Sequence, residues 1–269
     1  EFLANNATMI HLKSPDELEC CRLAADLVSR TLGTIAAFVK PGITPLELDR
    51  IAETYIRDMG GIPAFKGLYG FPNTLCISPN DQVVHGIPTQ QALRDGDIVS
   101  IDCGVKLHDF IGDQAFTFAV GTISESAARL LRITRECLDL GIAQAKAGNR
   151  IGDIGFAIQN HAESAGYGVV RELVGHGLGR QLHEKPEVPN YGKKGHGVRL
   201  TDGMVLAIEP MINAGTKSIR HERDGWTVRT ADGTLSAHFE HDVALIKGHC
   251  TVLTTFRYVD EVLGTSVQV

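Results

Sequence analysis

Two stretches of the chain, LRDGDIVSID at Leu93–Asp102 and LTDGMVLAIE at Leu200–Glu209, can be laid one over the other. Leu93 matches Leu200, Asp95 matches Asp202, Gly96 matches Gly203 and Ile101 matches Ile208, which sets Asp102 opposite Glu209. Upstream, VVHGIP (Val83–Pro88) resembles VGHGLG (Val174–Gly179) and aligns His85 with His176. Lys40-Pro41-Gly42 corresponds to Lys146-Ala147-Gly148, and Gly60 to Gly166. Downstream, Asp113 precedes Gly121 by the interval at which Glu240 precedes Gly248. Matches in one order along the chain predict a duplicated half-domain, with halves at about 9–121 and 122–269 related by a pseudo-two-fold axis.

Local signals agree with that division. Ser14-Pro15-Asp16-Glu17 is a capping box with proline at the first helical position, and it predicts a helix running to about Val39. Thr44-Pro45-Leu46-Glu47 repeats the signal for a helix that Gly60-Gly61 ends. Strand-like runs follow from Thr74 to about Val120. Further helices are expected from near Ser124 to Lys146 and from about Gly152 to Ala165, then strands from Val169 to Thr255. The order helix, helix, strands occurs twice, which reads as one α/β (α+β) domain over 9–269. Residues 1–8 read as a cloning remnant before a native start at Met9.

Composition excludes several classes. The net charge of -6 and the lack of a long Lys/Arg run argue against nucleic-acid or anionic-membrane binding, and Lys193-Lys194-Gly195-His196 reads as a solvated loop. No apolar run approaches the roughly 18 residues of a membrane span, and the N-terminus lacks a signal-peptide pattern. Six scattered cysteines without a C-x-x-C fit a reducing cytoplasm better than a disulfide framework.

Chemistry concentrates in acids that interrupt strands. In GDIVSIDCGVKLHDFIGDQAFTF (Gly96–Phe118), Asp102 and Asp113 lie within runs of alternating apolar residues. A two-residue loop at Leu107-His108 would make them directly opposed partners on one face, ~5 Å apart. Like charges so placed repel unless one is protonated or a cation sits between them. The repeat supplies Glu209 and Glu240 at the equivalent places of the second half. Four converging carboxylates call for metal, with two divalent ions to balance them. His176, set among Gly175, Gly177 and Gly179, is the natural nitrogen ligand. Taken singly, each acid could equally be a turn or surface residue; at four repeat-related positions that reading weakens. An oxygen-rich shell with one imidazole suits Mn, Fe or Co at least as well as Zn. H-E-x-x-H, G-x-S-x-G, S-x-x-K and phosphate-loop motifs are absent.

NTLCISPNDQVVHGIP, DGDIVSIDCGV, GHGLGRQLHEKPEVPNYG, MVLAIEPMINAG and DGWTVRTADGTLSAHFEH together resemble type I methionine aminopeptidases of the bacterial kind, from Met9 to about Thr255. The resemblance implies the pita-bread fold: pseudo-two-fold half-domains with a curved, largely antiparallel sheet flanked by helices. It implies hydrolysis of the initiator methionine from nascent chains and peptides whose second residue is small. By the same resemblance Asp113 and Glu240 bridge two divalent metals (Co, Mn, Fe or Zn), Asp102 completes one, and His176 with Glu209 completes the other. Glu209 then shuttles protons, His183 stabilises the tetrahedral intermediate, and His85 contacts the scissile amide. Phe65, Phe71, Cys76, Leu182 and Trp226 line the methionine pocket, and Asn80 and Ser236 mark a monovalent cation site (Na or K). Leu68 stands where close relatives often carry tyrosine. The other eight histidines, including His161, His221 and His249, read as structural, and His241 follows Glu240 without a functional argument of its own. The expected setting is a cytoplasmic monomer meeting nascent polypeptide N-termini, with the ribosome as a candidate partner. Two other readings stay open: a dinuclear aminopeptidase cleaving before proline, and a metal-free pita-bread protein that only binds partners.

Overall fold

The computed structural model describes residues 9–264; the reading of residues 1–8 therefore falls outside the described part. The first half contains α1 (Pro15–Ala36), α2 (Pro45–Asp58), β1 (Ile62–Pro63), β2 (Leu75–Pro79), β3 (Gln82–Val84), β4 (Ile98–Leu107) and β5 (Phe110–Ala119). The second opens with α3 (Glu125–Ile142), α4 (Ile151–Ser164), β6 (Gly168–Val169), β7 (Gly175–Gly177), β8 (Glu184–Val188) and β9 (Val205–Ile208). It continues through β10 (Met211–Asn213), β11 (Ile219–His221), β12 (Val228–Thr230), β13 (Ser236–His238), β14 (His241–Ile246) and β15 (His249–Val252) to α5 (Arg257–Leu263).

Both capping boxes form. Ser14 Oγ accepts from the Glu17 amide while the Glu17 carboxylate accepts from Ser14 N, and Thr44 and Glu47 repeat the exchange. The helix ends fall short of the expectation by a few residues, at Ala36 rather than Val39 and at Ile142 rather than Lys146. The short α5 was not anticipated, and Phe256 at its N-terminus makes no side-chain cap.

The duplication is legible in the backbone. Gly42 and Gly148, Gly60 and Gly166, Gly96 and Gly203, and Gly121 and Gly248 all have positive φ. Asp95 accepts from Thr122 N at 2.8 Å, and its match Asp202 accepts from Gly248 N at the same distance. Every strand pairing among the described residues is antiparallel. In the first half β4 pairs with β5 on one side and with β1 and β2 on the other. In the second half the order is β15-β14-β9-β7-β8.

The halves meet where β5 runs beside residues 238–242. Glu240 N donates to Ala115 O, while Asp242 and Thr117 side chains replace backbone rungs on either side. One buried cluster runs from Leu27, Leu32 and Ile35 of α1 through Ile101 and Phe118 to Leu130, Ile154 and Ile158 of the second helix pair. The helical layer lies very close to the sheet. A Cβ at Gly112 would sit 2.5 Å from the carbonyl carbon of Ala24, so the backbone of α1 can approach β5 this closely only at glycine. We expect Gly112→Ala to destabilise the fold by about 1–3 kcal/mol through overpacking, against about 1 kcal/mol for Ser14→Ala at the α1 cap. Urea unfolding of both variants checks the order; an unaffected Gly112→Ala would contradict it.

Candidate metal centre

Five strands or strand ends in spatial order each present one side chain of the expected set. Along β4 and β5 the register pairs Asp102 with Ala115 and Gly104 with Asp113. The loop is His108-Asp109, not Leu107-His108, and both of its residues have positive φ (49 and 64). That is the geometry of a two-residue turn whose twist matches the strands. The one-residue displacement of the turn makes Asp102 and Asp113 diagonal neighbours on one face rather than directly opposed partners. Their carboxyls still interact directly.

Across the seam Asp113 N donates to Asp242 Oδ2 at 2.7 Å, so Glu240, two residues before Asp242, is again the diagonal neighbour of Asp113. Glu209 and Glu240 sit one step beyond the last β9–β14 pair, Ile208 with His241. His176 on β7 pairs with Ala207, two residues before Glu209. The row therefore reads Asp102, Asp113, Glu240, Glu209, His176.

Asp113, His176 and Glu240 are buried, Asp102 and Glu209 are partly buried, and the row is short of partners. Asp113 is 3% and Glu240 1% exposed. Asp102 Oδ1, Asp113 Oδ1 and Glu240 Oε1 are buried without any hydrogen-bond partner. His176 Nδ1 lies 3.0 Å from Gly177 O; a proton held there leaves a lone pair on Nε2. That Nε2 faces Asp113 Oδ2 at 3.7 Å and Glu209 Oε1 at 3.4 Å. A lone pair against two carboxylates is repulsive unless a cation lies between them. Ligand atoms of Asp113, His176 and Glu240 lie within 4.8 Å of one another, and so do those of Glu209, His238 and Glu240. Burial first, then the neighbouring carboxylates, hold the Asp113 and Glu240 carboxyls well above the usual range. Burial likewise raises Asp102 and Glu209, and it lowers His176 to about 3. The donor set fits a divalent cation by its chemistry, its orphaned oxygens and its charge.

The apolar residues expected beside it do come together. Phe65, Phe71, Cys76 and Leu182 form a buried cluster with Ile111, against which Leu68 and Trp226 pack. The Phe71 and Trp226 rings meet edge to face at 5.1 Å. Gly104, opposite Asp113, has no side chain because the Phe65 ring lies there; a Cβ would come within 2.5 Å of it. Phe65, Leu68, Phe71, Cys76, Leu182 and Trp226 line one cavity of about 220 Å³ together with the acids. His85 and His183 also line it, and the His183 ring stands perpendicular to His176 at 4.6 Å. Burial lowers His85 to about 4 and lowers His183, so both are neutral near pH 7. Asn80 and Ser236 lie side by side, Ser236 N donating to Asn80 O at 3.0 Å.

Sequence reasoning missed three residues. Tyr69, 77% exposed at the cavity, lies parallel to His183 with centroids 6.2 Å apart. Asp242 is 1% exposed and ties the seam at Asp113. His238, read as structural, has Nε2 3.4 Å from Glu209 Oε2. The only signal for the last two was position: each lies two residues from Glu240.

The site has a consequence for pH dependence. A carboxyl whose folded pKa is raised stays protonated in the native state after the unfolded chain has ionised, so stability falls as pH rises through the folded value. The neutral histidines act oppositely, but only below their unfolded value of 6.5. Between pH 6.5 and about 8, the raised value of Glu209, the acids act alone. The melting temperature of chelator-treated protein is expected to fall across this window, and divalent metal to restore it. A melting temperature flat with pH and indifferent to metal would contradict the reading.

Comparison with known proteins agrees with this geometry. Residues 19–247 match metallopeptidase family M24. The methionine aminopeptidase of Clostridium perfringens is 53% identical over 93% of this chain and 100% of its own length. Methionine aminopeptidase 1 of Bacillus subtilis is 48% identical over 91% and 99%. The crystal structure of methionine aminopeptidase from Rickettsia prowazekii superposes with a TM-score of 0.91 at 40% identity, over 92% of this chain and 100% of that one. Prolidase from Pyrococcus furiosus, 21% identical with a TM-score of 0.75 over 91% of this chain and 65% of that one, shares the fold. With a buried carboxylate row that demands divalent metal and a family match over most of its length, the chain belongs to metallopeptidase family M24.

Proposed function

We propose that this chain is a methionine aminopeptidase, hydrolysing the bond after an N-terminal methionine when the next residue is small. The observation that carries the reading is one cavity with an apolar, aromatic end beside a carboxylate row. At about 220 Å³ it has room for one side chain, and it shares Val174, His176 and His183 with a cavity of about 1060 Å³. Phe65, Phe71, Cys76, Leu182 and Trp226 offer the polarisable surroundings a thioether prefers.

Asp102, Asp113, His176, Glu209 and Glu240 would hold the two proposed divalent ions, Co, Mn, Fe or Zn. Such ions supply Lewis acidity, lowering the pKa of a water and polarising the scissile carbonyl. Beside divalent cations Glu209 would be ionised, and it then accepts the water's proton at its carboxylate and returns it to the leaving amine. Neutral His183 donates from its ring N–H to the oxygen that gains charge, and His85 holds the scissile amide. The apolar wall keeps bulk water from the bond and orients the methionine. A monovalent cation, Na or K, would bind near Asn80 and Ser236. Nascent chains leaving the ribosome are the proposed substrates, and all six cysteines being free suits a cytoplasmic enzyme. The monomer is the proposed working form.

The Xaa-Pro enzymes share this fold, so substrate choice is the test. Met-Ala-Ser is expected to turn over far faster than Ala-Pro-Ala, and the reverse would overturn the reading. Trp226→Ala should raise KM for Met-Ala-Ser about tenfold or more by removing apolar contact. Asp113→Ala should abolish both metal retention and turnover; a fully active variant would contradict the assignment.

A further inference from the structure

We propose that His238 is a nitrogen donor of the metal centre, ligating a divalent ion together with Glu209 and Glu240. The inference rests on the reading that the carboxylate row holds metal, and it adds a second imidazole to a set expected to contain one. Ligand atoms of Glu209, His238 and Glu240 lie within 4.8 Å of one another. His238 is 1% exposed, and its Nε2 is buried without a hydrogen-bond partner. Glu209 Oε2 faces that nitrogen at 3.4 Å, long for a hydrogen bond. Glu240, the third member, also carries an unpartnered buried oxygen, Oε1.

An imidazole of the ordinary buried kind finds a hydrogen-bond partner, because leaving a polar nitrogen unpaired is costly. Here the surroundings of Nε2 are carboxylates, and coordination to a shared cation would satisfy all three groups. The backbone delivers the ring firmly. Thr117 Oγ1 accepts from His238 N at 2.9 Å and donates to His238 O at 2.8 Å. Thr117 Oγ1 is itself 2.8 Å from Ser100 Oγ on β4. His238 is thereby fixed at the seam between the halves.

The two candidate groups, Asp113–His176–Glu240 and Glu209–His238–Glu240, share Glu240 and contain one imidazole and two carboxylates each. Two nitrogen donors in place of one move the preference away from Mg and Mn toward Co and Zn.

The test uses the full chain, stripped of metal and loaded with Co(II), with selective ¹⁵N labelling of histidine. Each ligating imidazole gives one exchangeable ring N–H resonance shifted far downfield by the paramagnetic ion. The wild type is expected to show two, and His238→Gln and His176→Gln one each. His238→Gln should also bind Co(II) about 10–100-fold more weakly. A single shifted resonance in the wild type overturns the proposal whether or not the variants fold. Unchanged Co(II) affinity in a folded His238→Gln also overturns it, since glutamine could still hydrogen-bond Glu209. Failure of the wild type to bind Co(II) at all would instead sink the metal reading on which the proposal stands.

Discussion

Carboxylates do not share a buried strand face without compensation, and this protein places four on neighbouring strands. Asp102, Asp113, Glu240 and Glu209 succeed one another across β4, β5 and the facing ends of β14 and β9. Burial raises the pKa of all four carboxyls, and three of their oxygens have no hydrogen bond to offset it. Much of the surrounding architecture serves to hold that row in place despite its cost. Glycines at 104 and 112 let an aromatic ring and a helix press against β4 and β5. The cross-seam ties at Asp242 and Thr117 fix the second half against the first.

Duplication explains how so unfavourable a cluster can arise from ordinary parts. Each half contributes a helix pair and two strands, and corresponding aspartates, Asp95 and Asp202, close corresponding turns. The halves differ in how those two strands are joined. In the first, β4 passes to β5 through two residues; in the second, β10 to β13 intervene between β9 and β14. That excursion carries Trp226 into the cavity and His238 to the carboxylates. The symmetric framework thus supplies the acids, and the asymmetric insertion supplies much of what distinguishes the two ends of the site.

The acids and His176 stood out in the sequence because strand alternation and repeat spacing point to them, whereas the pocket residues came only from the long motifs that carry the resemblance. The register of the β4–β5 hairpin was not legible. Its turn contains no glycine, and nothing in the local pattern says that His108 and Asp109 both adopt positive φ. Parity alone keeps Asp102 and Asp113 on one face under either register, so the conclusion survived a wrong pairing. His238 and Asp242 carry no periodic signature of their own; their roles emerge only when β5 and β14 are brought side by side. The α5 helix escaped for a similar reason, since it has no side-chain cap and gains its place by packing on α1.

Anomalous diffraction from crystals soaked in Co(II) would show whether the carboxylate row holds metal. Two strong peaks are expected there, among Asp102, Asp113, His176, Glu209 and Glu240. No peak there, or peaks bound only by surface acids, would contradict the metal reading.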